Sequence, residues 1–362
     1  MRNWASWMKA GLCVVVGVSG GCATTGSTAG AGRGRATVTP VETTLAYSDP
    51  VARSQLRERA LDELMKAAAS DWALERANAI EGLLEAPSRV EAIAAAGLKD
   101  ENEGVRSVAA MVVGRARLST LGASVRPLLQ DTSPYVRASA IFALTRLGES
   151  PDRTPLSDLL FDDRSTRRRA HAAFILGELG DPSALAMLSE AARQKTPGAT
   201  LVEQRLLELQ IAEAMVKLGE RAQLDAIRAA LLPSSPEMLE PAALAAQIIG
   251  TLQDRESIDR LINLSAYRGQ QGTEPPAEVM LAVAGSLSAL GVPDGTFVAD
   301  KYSGSEQDAV RAQAAFVYGQ IGRVDNLGKL DHLLGDKSGL TRVSAATAVL
   351  KILRQETASA GL

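Results

Sequence analysis

The sequence predicts an all-α fold, an α-solenoid: a right-handed superhelix of about nine helix pairs over residues 50–355. Three observations carry this. A ten-residue template returns at intervals of roughly 31 to 32 residues in the better-marked stretches. Within each copy the apolar residues fall at helical spacing, and no stretch of useful length alternates apolar and polar residues as a strand would.

The first residues concern the compartment. Arg2 and Lys9 precede a short apolar run, Ala10 to Val18, which ends in Ser19, Gly20, Gly21 and Cys22. A basic start, a short apolar core and small residues before a cut describe a secretory leader over residues 1–21. The run is far shorter than the roughly 20 residues needed to span a bilayer. Gly20, Gly21 and Cys22 resemble a bacterial lipobox, with Ser19 where an aliphatic residue is usual. The resemblance implies lipidation of Cys22 as the mature N-terminus. Ala23 in the next position, by resemblance to other lipoproteins, implies an outer-membrane lipoprotein facing the periplasm.

Of the two cysteines, Cys13 lies in the leader and Cys22 at the cut, so no thiol remains in the body for a disulfide, a metal or a nucleophile. Stability then rests on an apolar core, which a chain of this length with 46% hydrophobic residues can build. Residues 22–49 are rich in Gly, Ala, Ser and Thr without helical or strand period, and read as a flexible tether.

The repeats follow. Val105–Gly114, Val136–Thr145, Arg168–Gly177, Val310–Gly319 and Thr341–Leu350 superpose on one template. They resemble HEAT repeats, most closely the short variety also found in phycobilisome lyases. In the second copy Val136, Ala140, Ala143, Leu144 and Leu147 share a narrow arc at 100° per residue, one apolar stripe along a helix. Alanines at the inner positions let neighbouring helices approach. Leu147-Gly148, Leu179-Gly180, Leu218-Gly219 and Leu290-Gly291 mark helix ends, where glycine suits a left-handed cap. Ser133-Pro134, Thr154-Pro155, Asp181-Pro182 and Ser235-Pro236 mark starts. The middle repeats, roughly 197–304, keep the apolar period and lose the arginine; residues 356–362 read as a tail.

That arginine recurs as Arg76, Arg106, Arg137, Arg169, Arg311 and Arg342, with Asp100, Asp131, Asp163 and Asp336 six residues before four of them. The HEAT resemblance implies a structural ladder, each guanidinium held by a carboxylate of its own or the adjoining repeat, with Arg137 expected against Asp131. Acids matching the arginines argue against a nucleic-acid stripe. So does the charge: removing Arg2 and Lys9 with the leader takes the formal net charge from −3 to −5, whereas nucleic-acid modules are normally basic. In the run from Arg164 to Arg169, Arg167 and Arg168 have no evident acid; they read as a solvated helix start, with a patch for an anionic partner or lipid head group as the alternative.

Residue types speak against catalysis. The body holds two histidines, His171 and His332, neither in a metal-ligand spacing, and neither followed by the glutamate of the paired His-Glu motifs in iron-binding HEAT oxygenases. No GxSxG elbow and no phosphate-binding loop is present. The expectation is therefore a non-enzyme without cofactor, metal or nucleic acid: a membrane-anchored scaffold binding a protein or peptide in the cell envelope through its concave face. The lyase resemblance implies the alternative, an accessory subunit cradling a chromophore or substrate protein. Met111, Phe142 and Phe174 fall off the apolar stripe in register, Phe316 repeats the feature far along the chain, and His171 faces the same groove; together they are the expected partner-binding surface, and core packing is the competing reading of the aromatic ridge.

Overall fold

The computed structural model describes residues 47–162, 164–269, 272–292 and 295–359. The leader, Cys22 and most of the tether, as well as Asp163, lie outside the described residues. Within them are eighteen α-helices and no strand. The helices form nine pairs: α1 (Pro50–Ala67) with α2 (Ala73–Gly82), α3 (Pro87–Gly97) with α4 (Glu103–Ala116), and the short α5 (Gly122–Val125) with α6 (Pro134–Arg146). Next come α7 (Thr154–Leu160) with α8 (Thr166–Leu179), α9 (Leu185–Arg193) with α10 (Leu201–Lys217), and α11 (Leu224–Ala230) with α12 (Leu239–Leu252). The last three are α13 (Ile258–Ser265) with α14 (Ala277–Ala289), α15 (Thr296–Tyr302) with α16 (Asp308–Ile321), and α17 (Leu327–Leu334) with α18 (Gly339–Ser359). The final helix runs past 355, so most of the expected tail is helix. No helix among the described residues is long and apolar enough to cross a membrane.

Local chemistry sets the boundaries. Gly148, Gly180, Gly219 and Gly291 take positive φ at the helix ends, as their sequence context predicts. Thr200 and Glu203 close a reciprocal capping box at the start of α10. Pro134 opens α6 directly, while Pro182 and Pro236 each open a short 3₁₀ turn before the helix proper.

Successive even-numbered helices pack side by side in one unbroken series, with the odd-numbered helices outside them. The series does not stop at the ends: α18 packs on both α1 and α2. The nine pairs thus form a closed ring, each turning by about 40° on average, the small per-repeat rotation that gives solenoids their curvature. One apolar core accordingly contains Leu56, Leu64 and Ile80 of the first pair together with Val343, Val349 and Ile352 of the last.

The ladder is present in its adjoining-repeat form, and the expected pairing of Arg137 with Asp131 is the one that fails. Asp131 does not hold Arg137; its carboxylate accepts Nε and Nη2 of Arg106, one repeat earlier, at 2.8 and 2.9 Å. Arg76 to Asp100 and Arg311 to Asp336 are the same bidentate pair. Each arginine also donates to the carbonyl six residues before it, as Arg137 does to Asp131 O at 2.7 Å. Arg169 departs further. It is buried and donates to the carbonyls of Leu160, Ala191 and Gln194 and to Thr196 Oγ1, with no carboxylate among these described partners. Arg228, which the template did not include, forms another rung with Asp254 at 2.6 and 2.8 Å.

The last arginine shows how the ring closes. Arg342 reaches across to the first pair, where its Nε donates to Glu63 Oε1 at 2.6 Å. Around it Arg53 pairs with Glu356 (2.7 Å) and Arg354 with Glu85 (3.0 Å), and Tyr47 donates to Asp331 (2.6 Å). Backbone proximity at this seam depends on Gly82: a Cβ there would lie 2.3 Å from Thr347 Oγ1 on α18 and 3.3 Å from Leu64.

Gly82→Leu should therefore overpack the seam and destabilise the ring by about 3 kcal/mol. Gly285→Ala, whose Cβ would meet only Val317 at 3.7 Å, should be neutral or stabilising. Denaturant midpoints of the two variants check this; equal midpoints would show that α2 and α18 are not in contact in solution.

Candidate binding site

The inward faces of the even-numbered helices place the expected ridge, and they correct it. Met111 and Phe142 are 1% and 2% exposed, and His171 is buried as well. The reason lies in sideways packing. Phe142 on α6 lies over Gly114 of α4, where an added Cβ would come within 2.6 Å of its ring. Met111 and Phe142 share a core with Leu156, Ala173 and Leu176. An inner helix of a tight ring touches an outer helix and two lateral neighbours, so it is buried on more than the one arc its periodicity marks. Ser139, one turn before Phe142 on α6, is fully buried against Ser107 Oγ at 2.8 Å.

His171 packs edge-on to Tyr135, with ring centroids 5.1 Å apart, and its Nε2 lies 3.3 Å from the Tyr135 carbonyl oxygen. Burial pulls the imidazole down to about 4, only partly offset by that carbonyl. It is a neutral core histidine near pH 7, not a surface group.

Phe174 is half-buried at the centre of an ionic chain. Arg115 on α4 pairs with Glu81 on α2 (2.9 Å) and approaches Glu178 on α8 (3.8 Å); Lys217 on α10 holds Glu178 and Glu213, both at 2.8 Å. The guanidinium of Arg115 and the ammonium of Lys217 lie 6.0 and 5.7 Å from the Phe174 ring centroid. Burial opposes the Lys217 charge, but Glu213 and Glu178 together hold its pKa above the ordinary lysine value. This part of the inner wall is crossed by paired charges.

The remaining part holds a cavity of about 470 Å³. It is lined from α2, α12, α14, α16 and α18, whose only common side is the ring interior. Of the expected ridge residues, Phe316 alone opens onto it, at 42% exposure. Leu281, Ala282, Ala312 and Leu340 give apolar wall, and Gln313, Gln320 and Gln247 give amides. Lys351 of α18 stands in the wall and donates to Gln320 Oε1 at 2.7 Å. Burial lowers its pKa, against a partial rise from Glu85. Glu278, near the start of α14, lines the same cavity. Volume, apolar wall and a few convergent polar groups are the features of a ligand site.

Sequence reasoning missed Lys351, Gln320, Gln313 and Glu278. The register of Phe316 was the available signal, since Gln313 and Gln320 lie one turn before and one after it on the same face of α16. The arginine run is also corrected: Arg168 is held by Asp162 at 2.8 Å, and that bond brings the Asp162 carboxyl down to about 2. Among the described residues, no group of three or more His, Cys, Asp or Glu could hold a metal ion.

The family model of HEAT repeats matches residues 90–174 and 121–206. Solved structures similar to the chain include human deoxyhypusine hydroxylase in complex with glycerol, at 18% identity and a TM-score of 0.38, covering 75% of this chain and 98% of that one. An engineered protein matches at 16% identity and a TM-score of 0.33, covering 87% and 94%. The complex of CpcE and CpcF of phycocyanin lyase from Nostoc sp. PCC7120 matches at 18% and 0.29, covering 72% and 94%. No curated protein matches the chain.

The His171 environment carries a pH dependence with a definite sign. Its folded pKa of about 4 lies below the unfolded value near 6.5, so between them the unfolded chain binds a proton that the folded one does not. Stability should be full above about pH 6.5 and fall on acidification, with His171 contributing about 2 kcal/mol of the loss by pH 5. His171→Leu should remove that share, measured as the change in unfolding free energy between pH 7.5 and 5. An unchanged slope in the variant would place the imidazole in solvent.

Proposed function

We propose that this chain, a HEAT-repeat protein by its matched segment and by the helix pairs that continue on either side of it, is a non-catalytic scaffold tethered to the bacterial envelope. Its work is to hold a protein or peptide partner at the inner wall of the ring. The observation that carries this reading is the cavity beside Phe316, where a large aromatic side chain stays 42% exposed in an otherwise closely packed wall. An aromatic anchor in a recess with amides around it suits a peptide, because apolar side chains find a surface and peptide groups find donors and acceptors.

The tether supports the same reading. Leader, lipobox-like Cys22 and a Gly/Ala/Ser/Thr-rich segment would hang the ring from a membrane by lipid chains, at about 0.8 kcal/mol per buried methylene. Ala23 after Cys22 favours the outer membrane, with the ring in the periplasm. The binding reading does not depend on the anchor, and the two are tested apart.

A photo-crosslinking aromatic amino acid at Phe316 should capture a defined partner in intact cells, and the same probe at Thr357, exposed near the end of α18, should not. Capture at Thr357 alone would move the working surface to the outside of the ring. Cys22→Ser should leave the protein unprocessed or soluble in fractionated cells; continued membrane association after leader cleavage would place the anchor elsewhere.

A further inference from the structure

The two ends of the cavity differ in charge. At one end Lys351 has an amide partner, Gln320, and no ion pair among the described residues. Toward the other, Glu278 likewise has no ion pair among them. Gln313 and Gln320 mark the two levels on α16, since Gln313 Nε2 donates to the Glu278 carbonyl at 3.2 Å and Gln320 accepts from Lys351. Seven residues of helix at 1.5 Å each separate those levels by about 10 Å. An extended chain covers that with about three residues.

A buried ammonium without a counter-ion is costly, and burial shifts Lys351 toward its neutral form. Elsewhere on the inner wall the charges are paired: Arg115 has Glu81, and Lys217 has Glu178 and Glu213. The cavity thus holds a cation that no described carboxylate contacts directly, Glu85 acting on it only from a distance, and an anion is the partner its site can still take. A carboxylate would supply it, favouring the charged ammonium and taking a charge-assisted hydrogen bond. A second anion at the far end would meet Glu278, which selects a ligand with one carboxylate and a neutral remainder.

We propose that the cavity captures the C-terminus of a polypeptide that ends in apolar residues, with the terminal carboxylate on Lys351 and the apolar side chains against Phe316 and Leu340. The proposal rests on the inner-wall receptor reading above and names the chemistry of its ligand. Amides along the wall favour this source of carboxylate over a fatty acid, whose methylenes would lie against them without hydrogen bonds.

Calorimetric titration of the full chain tests it, with acetylated tetrapeptides that differ in their last apolar residue, each as free acid and as C-terminal amide, and with decanoate. The free acids should bind and the amides should bind about tenfold more weakly, as expected for loss of a charge-assisted bond. Lys351→Met keeps the side-chain stem and should abolish the difference between acid and amide; Lys351→Arg should retain it. Binding of acid and amide alike, unchanged in Lys351→Met but lost in Phe316→Ser, would overturn the carboxylate proposal and leave the receptor reading standing. Binding of decanoate without any peptide would overturn the peptide source. Absence of binding by every probe would count against the cavity as a receptor site altogether.

Discussion

Closure of the ring depends on how near the inner helices can come to one another. Their spacing sets the turn per pair, and nine pairs must together make one full turn for α18 to meet α2. Small residues at facing positions permit this: Gly177 lies against Ala214, Gly250 against Ser286, and Gly319 against Ala348, each so close that a Cβ on the glycine would fall at 3.0 Å or less from its neighbour. A larger residue at these positions would push the inner helices apart, reduce the curvature and leave the ends without each other. The charged ladder follows that packing, since each rung joins an arginine to the next repeat only while neighbouring repeats keep their distance.

The same curvature shapes the interior. A narrow ring brings side chains from non-adjacent helices within reach, so Arg115 of α4 can approach Glu178 of α8 past the intervening α6. In that region paired charges and Phe174 cross the wall. Around α14 and α16 the inner wall leaves space beside Phe316. Both regions are consequences of one geometry, and an open superhelix would present them as separate stretches of a groove.

Much of the fold was legible because it is local. Helical periodicity, glycine ends and the recurring arginine needed only a single repeat, and nine pairs were expected and are found. Closure was not legible: the rotation per pair is a small angle set by many contacts, and no single residue encodes it. Glu63, which receives Arg342, is a plain helical glutamate with no motif around it. Arg137 was assigned the wrong partner because an acid six residues before an arginine is near in sequence, whereas the rungs join each guanidinium to the aspartate of the following repeat. Phe142 and Phe316 occupy the same template position, yet one lies over a glycine and the other over a cavity. That difference belongs to the neighbouring helices and cannot be read from the position itself.

The ring itself is tested most directly by the distance between its two ends. Spin labels at Arg57 on α1 and Thr357 on α18, both exposed, report it by pulsed electron resonance without disturbing the seam. A closed ring places α1 and α18 in packing contact, and requires one narrow distance distribution below about 30 Å. An open stack of nine pairs at about 9 Å each would separate the labels by some 70 Å and broaden the distribution, and that result would contradict the closed ring.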